Sequence, residues 1–379
     1  MIAGYPLADK VSGSLAHVGN LARYISSIDG MEVHVITLGA KNERFKSDNI
    51  SVHVVSKKWF LHPLLLPFAL RSMKRTAEAI NPDVIHAMRG FPYFMIAAFL
   101  RRRYPALLTV FSLSQQELRF DKNPVWMFLR VFFFIPNERY VIPRIPHIIV
   151  QTRFMESLVR RMTRSKLHIV PDAIEYGRLA RFQSLPSLSD SPDIFVAVSF
   201  RKLKGMDVLI NAVPIVVRSV PDLKVYIAGS GEEEANLKTL VKKLGVEAHV
   251  RFLGFISDEV EKYSYYRSCK IVVVPSRWDN EPYAPLDGAV FGKPAIVSDA
   301  ANSSVVVDGE TGFVFKSENI AELAAKIIKL LTDDKLREKM GKAIGEKVKE
   351  YDWPGIAGRT VEIYQEVILD FQSREAQNK

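Results

Sequence analysis

The sequence predicts an α/β fold of two doubly wound domains, and three observations carry that expectation. Short apolar runs bounded by Gly, Pro and Asn alternate with segments of helical periodicity along the chain, the pattern of parallel strands joined by crossover helices. At 379 residues there is enough chain for two domains with substantial cores. Residues 184–193 are rich in Ser and Pro without periodicity, as a linker is.

In the first half, residues 1–3 give only the tail of a strand before Gly4-Tyr5-Pro6. The first strand is therefore expected to be clipped, and an upstream start codon is one way to read that. Ser12-Gly13-Ser14 precedes a helical face of Leu15, Val18, Leu21, Ala22 and Ile25. Such a loop either offers its N–H groups to a phosphate or acts as a plain N-cap. Residues 33–38, 50–55, 83–87, 107–111, 148–150 and 168–170 read as strands.

Two segments do not resemble ordinary core. Lys57-Lys58 precede WFLHPLLLPFAL, with Arg71, Lys74 and Arg75 after it, and residues 124–135 read PVWMFLRVFFFI with Arg130 the sole charge. Basic residues flanking Trp, Phe and Leu mark a segment lying in a membrane interface, although buried helices carry the same pattern. The Arg101-Arg102-Arg103 run tips the pair toward an anionic membrane, which offers about 1 kcal/mol per basic residue near its surface.

The balance of charge agrees with that placement. Of the +10 net charge, residues 1–180 hold 25 Lys and Arg against 13 Asp and Glu, a net +12, leaving −2 for the remainder. A nucleic-acid surface or an anionic membrane would explain a basic first half; the apolar segments favour the membrane, so no nucleic-acid partner is expected. Hydrophobic content of 48% and charged content of 25% are those of a soluble globular protein. The single cysteine, Cys269, excludes an internal disulfide and fits a reducing compartment. The first residues are too short and polar for a secretory signal, and no apolar run reaches the roughly 18 residues of a spanning helix. A cytoplasmic protein, peripheral on the inner face of the cell membrane, is expected.

In the second half a strand at 194–198 leads into SFRKLKGMDVLI, where Arg201, Lys202 and Lys204 crowd a loop before a helix starting near Asp207. Three cations there repel one another unless they are solvated or neutralised by an anion, and a diphosphate would serve. The strand at 224–228 ends in Gly229-Ser230-Gly231-Glu232, a G-x-G without the third glycine of the dinucleotide fingerprint, which counts against NAD. The most informative stretch is residues 275–299, PSRWDNEPYAPLDGAVFGKPAIVSD. An apolar strand at 271–274 leads in, Asp279 and Asp287 lie eight residues apart, a short helix runs from Pro285 through Phe291, and Gly292-Lys293-Pro294 closes it before a strand at 295–298. At the carboxyl edge of a parallel sheet such a loop and helix N-terminus favour anionic ligands. An N-terminal helix carboxylate beside an exposed loop acid is the plain alternative. No D-x-D pair and no His/Cys cluster at ligand spacing implies a metal.

The order strand, Pro275-Ser276, acid, seven residues, acid, Gly-Lys-Pro, strand resembles the nucleotide-sugar site of the retaining glycosyltransferases of family 4, the glycosyl transferases group 1. That family has the GT-B fold, two Rossmann-like domains facing across a cleft. It writes Glu at both acid positions, where this chain has Asp. The resemblance spans essentially the whole chain, most securely residues 194–365. It implies an acceptor-binding domain at 1–185, a linker at 186–193, a nucleotide-sugar-binding domain at 194–355 and a helix at 356–379 crossing back to the first domain.

By the same resemblance Gly13 is the remaining glycine of a Gly-Gly loop, and His86 ends a strand whose counterpart carries histidines near the active site, while Phe111 stands where similar proteins often have His. PDAIE, residues 171–175, resembles the family's P-N-G-V-D turn. Arg201 and Lys204 correspond to the phosphate clamp, Ile256 to a nucleobase contact, and Tyr283 joins the donor-binding residues. Residues 300–304 stand where the family has a Gly-Gly loop and a glutamate. The implied reaction is metal-independent, retaining transfer of a hexose from a nucleoside-diphosphate sugar to a glycan or lipid-linked acceptor, with no cofactor beyond that donor. Asp279 would hold the transferred sugar, Asp287 the ribose, and Lys204 and Arg201 the departing diphosphate. A non-catalytic sugar-nucleotide or glycan-binding paralogue that partners a transferase is a second reading, and a nucleotide-sugar 2-epimerase a third.

Overall fold

The computed structural model describes residues 1–5, 13–56, 66–120 and 123–377. The chain divides into two compact units, Met1–Ala173 with Trp353–Lys379 and Ile174–Asp352. Its thirteen strands, among the described residues, are β1 (Val33–Gly39), β2 (Glu43–Ser47), β3 (Ile50–Ser56), β4 (Ile85–Met88), β5 (Ala106–Val110), β6 (His147–Val150), β7 (Lys166–Ile169), β8 (Ile194–Ala197), β9 (Val225–Ala228), β10 (Val250–Gly254), β11 (Val272–Val274), β12 (Ala295–Ser298) and β13 (Gly312–Phe315).

In the first unit β1 pairs with β3, and β4 to β7 form a parallel run. Residues 1–3 lie between the two sets, with Ile2 bridging Ile36 on one side and Ala87 on the other. Ile2 N–H donates to the His86 carbonyl at 2.8 Å and Ala3 N–H to that of Ile36 at 3.1 Å. The expected strand tail is thus the middle of the sheet. Antiparallel to β3 at the edge runs β2, which carries no apolar alternation because four of its five residues, ERFKS, are exposed; charged edge strands resist pairing with other chains. Val18, Leu21, Ala22 and Ile25 of the helix Gly13–Ser26 recur at helical spacing on the core. Opposite them the helix Trp353–Gln377 buries Trp353, Ile356, Ile363, Tyr364 and Val367 in the same cluster.

The aromatic stretch forms consecutive helical segments, Pro124–Leu129, Arg130–Phe134 and Ile135–Val141. Asn123 starts it by accepting from Val125 N–H at 2.9 Å, and Pro124 sits at the first helical position. One side of it faces outward, with Val125 64% exposed, Trp126 50%, Phe128 54% and Phe132 62%, while Leu129, Phe133, Phe134 and Ile135 are half-buried. Arg130 turns inward to Glu117 at 2.5 Å. The segment is therefore not a fully buried core helix of its unit: one face packs, against Phe91 among others, and the other is exposed. Of the other suspected segment, residues 57–65 lie outside the described residues; the helix Leu66–Ile80 continues it, with Phe68 55% exposed.

The second unit is a six-stranded parallel sheet. Hydrogen bonding gives β10-β9-β8 and β11-β12-β13, and a bridge from Ile194 to Ile271 joins them. The order becomes β10-β9-β8-β11-β12-β13, so chain direction across the sheet reverses between β8 and β11. Core strands here are continuous apolar runs, such as Val272-Val273-Val274, because helices cover both faces. The boundary expected after residue 185 falls at Ala173/Ile174 instead. Ile174 and Leu179 enter the second core, Leu188 N–H donates to Ser268 Oγ at 2.9 Å, and Asp190 accepts from Lys224 Nζ at 2.8 Å. The Ser- and Pro-rich stretch is thus fastened to the second unit. The terminal helix begins at Trp353, three residues before the expected 356.

Candidate active site

Where strand order reverses in a parallel sheet, the connections leave in opposite directions and open a crevice outside the carboxyl ends. In the second unit that place is the end of β8 and β11. From β8 the chain passes through Arg201 and a short turn, Lys202–Lys204, to Gly205 and the helix Met206–Val217. From β11 it passes through Pro275 and Asp279 to the helix Tyr283–Val290.

The two loops are clasped together. Leu203 carbonyl accepts from Arg277 N–H at 2.7 Å, and Arg277 Nη1 donates to the Lys202 carbonyl at 2.8 Å. Gly205, with φ of 65°, lies so close to Pro275 that a Cβ there would stand 2.0 Å from the Pro275 carbonyl oxygen. Only glycine accepts both that backbone angle and that approach. Lys204 Nζ then reaches across to Asp279 Oδ2 at 2.5 Å, with 20% and 14% of the two side chains exposed.

The expected repulsion among three cations is resolved differently for each. Lys202 pairs with Asp207 at 3.1 Å, and Arg277 donates twice to the same carboxylate, each at 2.7 Å. Burial raises the pKa of Asp207, but Arg277 and Lys202 outweigh it and hold the carboxyl below its ordinary value. Glu318 completes the cluster on Arg277. Lys202 is thus structural, Lys204 is shared with Asp279, and Arg201 is exposed, its side chain without an ion pair among the described residues. Of the three, Lys204 and Arg201 remain for an anionic ligand.

Asp279 is positioned by main chain as well as by lysine. Its N–H donates to the Ala300 carbonyl at 3.0 Å, and its carbonyl accepts from Asn302 Nδ2 at 2.7 Å. Glu281 is 2% exposed, has φ of 64°, and accepts from Ser304 N–H at 3.0 Å. Residues 300–304, which lack the family's glycines and glutamate, therefore brace the acid loop. Neither Glu281 nor Asn302 carries a sequence signal for this, since the contacts span more than twenty residues.

Asp287 lies in the middle of its helix, not in the first turn. It is 8% exposed, 3.2 Å from Lys262 Nζ and 3.4 Å from Tyr263 OH. The plain alternative, a helix N-terminal carboxylate, does not hold, because the helix expected from Pro285 begins two residues earlier, at half-buried Tyr283. Ile256 is half-buried against the core just beyond β10, beside the 66% exposed Phe255. The Gly229-Ser230-Gly231 turn is held there by Gly229 N–H donating to the Gly254 carbonyl at 2.7 Å.

In the first unit His86, the expected catalytic histidine, is buried in the core. It is 2% exposed, with Nδ1 2.8 Å from Tyr364 OH and Nε2 2.6 Å from Thr109 Oγ1. Burial pushes its pKa well down, so it is a neutral core histidine with both nitrogens engaged. Phe111, which stands where similar proteins often have His, has a histidine against it: His17 packs edge-on to Phe111 and pairs with Asp172 of PDAIE at 2.9 Å. Gly13 is the first residue of its helix, and the loop before it lies outside the described residues.

A group that sequence reasoning missed is Glu138. It is 6% exposed, and Ser114, just past β5, donates to it from N–H at 3.1 Å and from Oγ at 2.6 Å. Burial, reinforced by Glu117, raises its pKa to about 7 despite the Ser114 bonds and Arg130. A carboxyl raised in this way keeps its proton longer in the folded state, so it costs stability as pH rises from its unfolded value near 4.5 to about 7 and adds no further slope above. The shift is worth about 3 kcal/mol at 1.36 kcal/mol per unit. Denaturant unfolding at pH 8 is expected to show Glu138→Gln more stable than the wild type, the advantage vanishing by pH 4.5; equal stability at both pH values would refute it.

The whole chain has the GT-B fold of glycosyltransferases. Sucrose-phosphate synthase from Thermosynechococcus elongatus superposes on it with a TM-score of 0.78, covering 97% of this chain and 99% of that one at 20% identity. HepE from Anabaena, solved with UDP and glucose, does so with a TM-score of 0.72 over 96% and 99% at 16% identity. The chain belongs to the group 1 glycosyltransferases of family 4: the model described as "Glycosyltransferase Family 4" matches residues 11–178 and that described as "Glycosyl transferases group 1" matches residues 178–347. An uncharacterized glycosyltransferase of Methanocaldococcus jannaschii is 23% identical over 94% of this chain and 95% of its own length. The phosphatidyl-myo-inositol mannosyltransferase of Mycobacterium leprae is 30% identical over 52% of this chain, which spans about half (53%) of that relative.

Proposed function

We propose that this glycosyltransferase moves a sugar from a nucleoside-diphosphate sugar to a glycan or lipid-linked acceptor with retention at the anomeric carbon, working at a membrane surface. The observation that carries the reading is the Lys204–Asp279 pair, 2.5 Å apart, joining the two loops at the strand reversal with Arg201 exposed beside it. Lys204 and Arg201 would neutralise charge growing on the departing diphosphate, in place of a metal; stabilising such charge is the main source of rate in this kind of catalysis. Asp279, half released as Lys204 turns to the phosphate, would take the sugar hydroxyls, and Asp287 those of the ribose. The departing phosphate would accept the acceptor's proton. The test is turnover of a panel of nucleoside-diphosphate sugars with membrane extract as acceptor, reading anomeric configuration in the product. Absence of transfer and donor hydrolysis with every donor would favour the paralogue reading, which the occupied state of both acids supports.

A lipid-linked acceptor is supported by the mycobacterial relatives, which are phosphatidyl-myo-inositol mannosyltransferases, and by the outward Trp126, Phe128 and Phe132. No described helix is long and apolar enough to cross a membrane. A surface segment of this kind inserts its aromatics at headgroup level. Replacing Phe128 and Phe132 by Ser is expected to weaken binding to anionic phosphatidylglycerol vesicles, read by co-sedimentation, about 30-fold or more, since each aromatic contributes roughly 1 kcal/mol or more when its exposed area is buried. Equal recovery of variant and wild type would remove the membrane from the proposal.

A further inference from the structure

The sequence contains no histidine cluster at ligand spacing, yet the fold of the first unit assembles one. His147 opens β6, His168 lies on the neighbouring β7, and Glu366 and Asp370 stand one turn apart on the helix Trp353–Gln377. His147 Nδ1 is 3.1 Å from His168 Nε2 and 3.6 Å from Glu366 Oε1. The donor atoms of His147, His168 and Glu366 all fall within 4.8 Å of one another. Around a tetrahedral zinc with bonds near 2.0 Å, ligand atoms stand about 3.3 Å apart, between the two observed separations.

The fourth group makes this more than a hydrogen-bonded cluster. His147 Nε2 lies 2.8 Å from Asp370 Oδ2. A carboxylate only accepts, so Nε2 carries the proton and Nδ1 presents its lone pair toward His168 and Glu366. A ligating histidine whose other nitrogen donates to a carboxylate is the arrangement that fixes metal-binding imidazoles. His168 needs only to carry its proton on Nδ1 for Nε2 to become a second donor. Two imidazoles and one carboxylate suit a borderline divalent ion and leave a fourth position for water.

A second cross-strand pair serves as an internal comparison. His34 and His53 also lie 3.1 Å apart with stacked rings, and His34 Nε2 is 2.8 Å from Glu32. That pair has a carboxylate behind the first histidine and no carboxylate in front; among the described residues only the His147 group gathers three donors.

We propose that His147, His168 and Glu366 form a zinc site, with Asp370 orienting His147, that fastens the terminal helix to β6 and β7. His147 opens β6 in register with Lys166, the first residue of β7, and His168 lies two residues further along that strand; all of these residues belong to the first unit, whereas the loops of Lys204 and Asp279 belong to the second. Lys166 is the competitor: its Nζ sits 2.6 Å from Glu366 Oε1, and its side chain is 59% exposed, free to swing away.

The test uses the full chain without an affinity tag, stripped with chelator and titrated with zinc chloride by calorimetry. One zinc per chain is expected, together with an unfolding midpoint that rises with zinc concentration because the ion binds the folded state. Glu366→Gln and His168→Gln should abolish binding, and Asp370→Asn should weaken it on the order of 10- to 100-fold. Lys166→Ala should tighten it, and His53→Gln should leave it unchanged. Because the Glu366 and Lys166 side chains are both partly exposed, those two variants decide the matter even where His168→Gln fails to fold. Wild-type affinity no tighter than millimolar, or full binding retained in Glu366→Gln, would overturn the site.

Discussion

Lys204→Ala is expected to lower sugar transfer at least about 10²-fold, the scale for one lost charge stabiliser at a transition state. The loss should appear in kcat more than in KM, because charge on the departing diphosphate develops only as the glycosidic bond breaks. Lys202, two residues away, is already committed to Asp207 at 3.1 Å with Arg277 on the same carboxylate, so it cannot take over. Arg201 is exposed beside the site and would supply the residual activity. Removing the lysine also leaves Asp279, 14% exposed, without its ion-pair partner, and a modest loss of stability follows. Donor-induced thermal stabilisation that survives in the variant would separate a folded, slow enzyme from an unfolded one. Transfer at the wild-type rate would remove Lys204 from the site.

Gly205→Ala is expected to cost about 3 kcal/mol of stability in the second unit and to abolish most activity. Two effects add. The φ of 65° disfavours any Cβ by roughly 1–2 kcal/mol, and the new methyl would meet the Pro275 carbonyl oxygen at 2.0 Å and its carbon at 2.9 Å. Those are backbone atoms directly after β11, so relief requires the acid-bearing loop to move, at an overpacking cost of typically 1–3 kcal/mol. Gly245 is the control: its φ is 66° and nothing lies within 4 Å of an added Cβ. Gly245→Ala should therefore show the backbone cost alone. Denaturant midpoints that fall equally for the two variants would mean that the Pro275 contact is not restrictive.

The parts of this molecule legible in the sequence are those set by local pattern. The α/β class follows from alternating apolar runs, and the strand expected at 295–298 is β12 to the residue, because it is buried on both faces and bounded by Pro294 and Asp299. Lys204 and Asp279 stand out separately in the sequence, and the fold brings them together at 2.5 Å. Interactions between distant residues are not legible. The Asp207–Arg277 pair, seventy positions apart, decides which cation of the loop is spare. The hydroxyls of Thr109 and Tyr364 decide that His86 belongs to the core. The same holds for Glu138, whose carboxyl is perturbed by burial that the fold imposes against the opposing bonds from Ser114 in another loop. The edge strand β2 escapes a sequence reading because exposed residues carry no apolar rhythm.

The path of the chain bears on how the protein is made. The second unit is continuous, and its two ends meet: Ile174 N–H donates to the Tyr351 carbonyl at 2.9 Å, and Ile174 bridges Asp352. The first unit is split, and Trp353, Ile356 and Val367 supply one wall of its interior from residues made only after the whole second unit. During vectorial synthesis, where domains generally fold as units, the amino-terminal half must wait with that wall missing while the later, uninterrupted half finishes first. Translation order and completion order of the two units are therefore reversed.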